Sequence, residues 1–299
     1  MTIKPTKRRT RTEDTWRQFR RNKTGMAGLV LLCIIVLLSL AAPLIAPHDP
    51  YDADLSRRLK PGVWSDDSPD GFYLLGTDSQ GRDLFTRILY GGRTTLGVGF
   101  VALGIALSIG ITFGLLAGYF GGAIDNVIMR CVDILFAFPA LLLALVIAGT
   151  LGRGIDKAMI AIGITYSPQM VRVVRSGVLM IKEMEYIEAQ KAIGSSHGRI
   201  LLRHILPNSM APIIVYGTLM LATAILDAAA LGFLGVGAQV PSPEWGLTLS
   251  ASRQYLITGA WWAATFPGIA ILFSVISLNL LGDGLRDALD PRLKGGAKL

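Results

Sequence analysis

The chain has 299 residues, of which 52% are apolar and only 17% charged, with a mean hydropathy of +0.50 and a formal net charge of +8. That balance excludes an ordinary soluble domain and indicates an all-α polytopic protein of the lipid bilayer. In a soluble protein the basic excess would suggest nucleic acid. In a membrane protein the gathering of Lys and Arg at cytoplasmic ends accounts for it, so no nucleic-acid partner is expected.

Six apolar stretches reach or approach the roughly 20 residues that a spanning helix needs. They lie at 26–45, 94–120, 127–150, 158–179, 210–235 and 260–281, so six transmembrane helices are expected. The organisation this predicts is a basic N-terminus (1–25), a first span (26–46) and an external loop (47–93). A five-helix core (94–282) with a cytoplasmic loop at 181–208 follows, then a short tail (283–299).

Residues 1–25 carry nine basic side chains, among them Lys4, Lys7, Arg8, Arg9, Arg17, Arg20, Arg21 and Lys23, opposed only by Glu13 and Asp14. This end is expected in the cytoplasm, and the apolar run after it is too long for a usual signal-peptide core. Trp16, Phe19 and the arginines fit either a short interfacial helix or a solvated tail. Between 47 and 93 the balance reverses to six basic residues and eight Asp, so this segment is expected outside. Within it the spacing allows Asp78–Arg82 and Asp83–Arg87 ion pairs at i, i+4.

The second stretch places Ala102, Ala106, Gly110, Gly114 and Gly118 four residues apart, a small-residue stripe that admits another helix backbone. An internal neighbour and a partner subunit both remain open as its occupant. In the third stretch Asp125, Arg130 and Asp133 gather at the cytoplasmic end, with Arg130 and Asp133 on one face as an expected pair, and Pro139 is expected to kink the helix. The fourth ends in Arg172, Arg175 and Lys182. Counted from a cytoplasmic start, four crossings put 186–208 in the cytoplasm. The fifth stretch holds Asp227 deep within it, either lining a route with Ala230 and Phe233 or bonded to a neighbouring helix.

The polar loop itself reads YIEAQKAIGSSHGRILLRHILPN. Its spacing predicts a short helix with one largely apolar side, with Glu188 and Lys191 placed to pair at i, i+3. Gly194 suits a left-handed stop, Ser195 or Ser196 a helix N-cap, and Pro207 the end of a second short helix. Glu188, Ala189, Gly194, Leu206 and Pro207 stand in the register of the EAA loop: Glu-Ala-Ala, three residues, Gly, nine residues, then Ile-x-Leu-Pro. Gln190 and His204 depart from it. The loop resembles that of permease subunits of binding-protein-dependent ABC importers. The stretches 74–96 and 225–246 and the C-terminal tail resemble one branch, the C-type permeases of dipeptide and oligopeptide importers, over about residues 15–295.

The resemblance implies a cytoplasmic coupling helix formed by Tyr186, Glu188, Ala189, Gly194, Arg199, Leu206 and Pro207. It also implies a homologous B-type permease, two ATPase subunits that bind ATP and magnesium, and an external substrate-binding protein as partners. No GxxxxGK[ST] loop, HExxH, GxSxG or paired-cysteine motif occurs, so neither catalysis nor a cofactor of its own is expected. Cys33 and Cys131 fall inside spans, and His48, His197 and His204 are scattered, so no metal site is expected. A nickel importer of the same family stays open. From another class, so does an ion-coupled carrier using the intramembrane acids, although no inverted repeat is visible.

Overall fold

A segment in lipid must pair its own amides and carbonyls, and this chain does so with helices. The computed structural model describes residues 11–289, where the only strand pairing is an isolated bridge between Thr77 and Asp83. Lys4, Lys7, Arg8, Arg9 and the tail beyond Leu289 lie outside the described residues. The elements are α1 (Arg11–Arg21), α2 (Lys23–Leu40), α3 (Ala42–Ile45), α4 (Leu84–Phe120), α5 (Gly122–Phe136), α6 (Ala140–Leu151) and α7 (Ile155–Lys182). After them come α8 (Glu185–Ala192), α9 (His197–Arg199), α10 (Leu206–Phe233), α11 (Trp245–Ser252) and α12 (Trp262–Leu289).

Four helical stretches are long and apolar enough to cross a membrane: α2, α4, the run through α10 and α12. A fifth span results if α5 and α6 are taken together, bent by 93° at their break. The break falls at Ala137–Pro139, because proline can neither donate to the preceding turn nor fit behind it. Instead of a kink, the predicted third span is therefore two helices nearly at right angles. The predicted fourth span falls in α7, which is 28 residues long but less apolar than these four, with Pro168, Arg172 and Arg175 along it.

The small-residue stripe of α4 meets α7. Cβ atoms added at Gly110, Gly114 and Gly118 would stand 2.2, 2.6 and 2.7 Å from Met170, Val174 and Val178, while one at Gly163 on α7 would stand 2.6 Å from Ile105. Glycine is therefore needed on both helices for this approach. Because lipid tails are as apolar as the side chains, such contact, with its dispersion energy, replaces the hydrophobic effect as the source of helix association. A second close approach joins α2 to α12, where Gly25 and Gly284 face each other with no room for a Cβ.

Arginines from α7 also hold α5. Asp125 accepts two 2.6 Å hydrogen bonds from Arg175, and Asp133 accepts one of 2.6 Å from Arg172. The expected Arg130–Asp133 pair is not formed; Asp133 pairs instead with Arg172 of α7.

At the other end of α4 the segment 47–83 forms a cap around one buried arginine. Arg87 donates to the carbonyls of Pro50 (3.0 Å) and Ser242 (2.8 Å) and lies 3.3 Å from the Asp78 carboxylate. Asp78 also accepts from Arg82 at 2.8 Å, as the spacing predicts. Asp83 does not pair with Arg87. It serves as N-cap of α4, accepting from the Thr86 amide at 2.9 Å, because a side chain at the N-cap points at the helix's own free N–H groups. Glu244 caps α11 in the same way through Gly246 and Leu247 and accepts from Thr95 of α4; burial pushes its carboxyl up while these donors pull it down.

Replacing Gly114 with leucine should destabilise the fold by about 1–3 kcal/mol through overpacking, read as a lower thermal midpoint of the detergent-purified protein. Gly104→Ala, on the same helix with nothing within 4 Å of the added carbon, should leave the midpoint unchanged or raise it. Arg87→Met should cost about 3 kcal/mol by orphaning buried acceptors on three segments, and should increase proteolysis in the 47–83 cap.

Candidate functional site

The loop between α7 and α10 is built on a glycine stop. After α8 the chain closes a Schellman motif: the Ser195 amide donates to the Gln190 carbonyl and the Gly194 amide to that of Lys191, each at 3.0 Å. This geometry needs a left-handed residue, and Gly194 supplies it with φ +77°. Gln190, one of the two departures from the family pattern, accepts a 2.9 Å hydrogen bond from the Ser195 hydroxyl and so ties the turn.

The second part of the loop is not a separate short helix. From His197 the chain is helical through to Phe233, so Pro207 lies inside a continuous rod. Proline has no N–H for the carbonyl four residues back, and the helix absorbs the defect as a π-helical turn over Ile200–Ile205. The His204 carbonyl takes a 2.7 Å hydrogen bond from the Asn208 side chain. The motif's proline thus reshapes the helix without ending it.

One side of the loop packs on α4 and α7 and the other is exposed. Ile187 is fully buried and packs in a single apolar core with Ile200 and Ile205 of the loop, Tyr119 of α4 and Val178 and Ile181 of α7. His197 adds a polar link, its Nδ1 standing 2.7 Å from the Tyr119 hydroxyl. On the outward side Ile193 is 74% exposed, Leu202 62% and Tyr186 40%. Glu188, Ala189, Gly194, Arg199 and Pro207 are exposed as well, and Leu206 is half-buried against the core. Glu188 and Lys191 form no ion pair. Three large apolar side chains are thus exposed on a short, charged loop.

Asp227 stands apart from this loop, on α10. Its carboxylate accepts a 2.7 Å hydrogen bond from the Tyr166 hydroxyl of α7. Tyr166 also lines a cleft of about 350 Å³ at the α5–α6 bend, together with Phe136, Gln169 and Tyr216. Ala230 is half-buried, and Phe233 is exposed beneath the Arg253 guanidinium at 5.1 Å. The other small residues of this stretch serve packing: Gly232 lies under the Glu244 carboxylate, and Ala229 against Gly246 of α11. Helical periodicity puts Ile187 on the apolar side of the loop together with Tyr186 and Ile193, but only Ile187 is buried; Tyr119, Tyr166 and Ile200 were not singled out from the sequence. Ile200 follows from helical periodicity once the loop is known to fold back on α4, whereas no local signal marks the two tyrosines.

Comparison with known proteins places the chain among them. Residues 110–295 match the family described as the binding-protein-dependent transport system inner membrane component, and residues 10–61 match the N-terminal TM domain of oligopeptide transport permease C. The dipeptide transport system permease protein DppC of Alkalihalophilus pseudofirmus is 48% identical over 281 residues, covering 94% of this chain and 90% of that protein. A Pseudomonas aeruginosa di/tripeptide permease is 45% identical (95% and 93% covered), and an Escherichia coli glutathione permease, GsiD, is 42% identical (98% and 94%). Among solved structures, the MetNI methionine ABC transporter shares the fold with a TM-score of 0.54 at 21% identity, over 67% of this chain and 94% of that one. The chain belongs to the inner membrane components of binding-protein-dependent transport systems: it is a multi-pass permease subunit of an ABC importer, without catalysis or a cofactor of its own.

Gly194→Ala should cost about 1 kcal/mol by forcing a Cβ into the left-handed region, since no neighbour lies within 4 Å to clash. The expected readout is a roughly fivefold faster proteolytic nicking of the loop, with Gly194→Asn closer to wild type.

Proposed function

We propose that the chain imports dipeptides or short oligopeptides, forming half of the translocation path with a homologous permease. The observation that carries the mechanical part of this reading is the two-sided loop, apolar outward at Tyr186, Ile193 and Leu202 and locked inward through Ile187. The peptide substrate class is supported by the names of its relatives, whose substrates are dipeptides, di/tripeptides and glutathione, itself a small peptide.

In this reading α7 is the fourth of six crossings. It lies along the glycine face of α4, and pairing of Arg172 and Arg175 with acids of α5 reduces what those charges cost near lipid. Both termini and the loop are then cytoplasmic. The exposed side chains of the loop enter a groove on one of two ATPase subunits, and an external binding protein delivers the peptide. When the ATPases close, the push on α8 passes through the Ile187 core to α4 and α7 and tilts them as one body. Glu188, Arg199 and the register set by Gly194, Leu206 and Pro207 orient that contact. The path proposed for the peptide runs by Asp227, Ala230 and Phe233.

Co-purification with the ATPase subunits tests this directly. Ile193→Glu combined with Leu202→Glu should lower ATPase retention at least tenfold with an unchanged melting curve, as charges placed in an apolar contact do. Equal retention by wild type and variant would remove the loop from the interface. Asp227→Asn should reduce peptide uptake in reconstituted vesicles without affecting ATPase retention, and unchanged uptake would assign Asp227 to packing with Tyr166 alone.

A further inference from the structure

A shallow, open cleft of about 560 Å³ runs along one face of α2 below the end of α1, well away from the loop and from Asp227. Arg20 and Lys23 stand at one end, and Met26, Ala27, Val30, Leu31 and Ile34 line the rest. From Lys23 to Ile34 the helix rises about 16 Å, roughly one leaflet of a bilayer whose apolar core is about 30 Å thick. A pair of cations at the mouth of an apolar trough one leaflet deep matches a phospholipid with an anionic headgroup.

The fold holds the backbone from which the two cations project. Phe19, 2% exposed, lays its ring against the contact between Gly25 of α2 and Gly284 of α12. Asn22 caps α2 by accepting from the Gly25 amide at 2.9 Å and donates to the Asp287 carboxylate of α12 at 2.8 Å. These contacts pin the α1–α2 corner so that Arg20 and Lys23 are presented together. Neither forms an ion pair among the described residues, so both charges are available to a ligand. Trp16, stacked on Phe19 at 5.8 Å and 52% exposed, lies on the same helix, as suits the headgroup level.

We propose that this cleft is a binding site for one anionic phospholipid, its phosphate on Arg20 and Lys23 and an acyl chain along α2. The lipid would bind at the N-terminal helix pair.

The test is native mass spectrometry of the purified importer complex titrated with phosphatidylglycerol and, separately, phosphatidylcholine. Wild type should hold one phosphatidylglycerol molecule more tightly than any phosphatidylcholine. Arg20→Gln with Lys23→Gln should weaken that site roughly twentyfold, following the loss of two charges near a membrane surface. Arg17→Gln with Arg21→Gln removes the same charge from α1 outside the cleft and should leave the site within about twofold, because screened charges off the site contribute little. Ala27→Trp, which fills the trough and keeps both cations, should also abolish the site. Equal losses in the two charge variants, equal affinity for both lipids, or an unaffected Ala27→Trp protein would each overturn the proposal.

Discussion

The approach of α4 to α7 is the constraint on which the rest of the structure depends. Lipid offers no hydrophobic reward for joining two apolar helices, so they must touch closely enough for dispersion to do it. Gly110, Gly114 and Gly118 allow that contact by leaving space for Met170, Val174 and Val178. The same pair of helices then carries the loop, because Ile187, Ile200 and Ile205 pack into the core that Tyr119, Val178 and Ile181 continue towards the membrane face. Any larger side chain on the seam would separate the loop from its support.

The far end of α4 is held by different physics. Arg87, fully buried, gathers three stretches of chain through their carbonyl groups and the Asp78 carboxylate, so the cap, α4 and the α10–α11 connection share one polar anchor. Such an anchor is strong because the alternative is an unpaired charge away from water. Between the two fixed ends, the 93° break between α5 and α6 and the π turn before Pro207 are the places where the helical ladder departs from regularity. Irregular backbone of this kind concentrates where membrane proteins line cavities or move. The cleft beside Tyr166 lies at the first of them.

Much of this was legible in the sequence, and what was not has identifiable causes. Apolar length marked the long helices, and four-residue spacing of small side chains marked the face of α4, because both signals are local. The Gly194 stop was equally local, since a Schellman turn demands a left-handed residue. The partners of charged groups were not readable. Asp83 and Arg87 have ideal i, i+4 spacing, yet the N-cap position of Asp83 and the depth of Arg87 assign them elsewhere. Asp133 likewise takes Arg172 from a helix 39 residues on, in place of the adjacent Arg130. Pro207 misled for a related reason: a proline predicts a lost hydrogen bond, and only the tertiary setting decides whether the helix ends or widens.

The most direct test of the central claim is the distance between α4 and α7 through the transport cycle. Spin labels at the exposed positions Phe113 and Met180, in a background with Cys33 and Cys131 changed to serine, would report it by double electron–electron resonance in the assembled importer. The account predicts one distance distribution, unchanged between nucleotide-free and ATP-bound states, because the glycine seam makes the two helices a single moving body. A distribution that shifts or splits on ATP binding would contradict it, and would mean that the seam opens as the importer works.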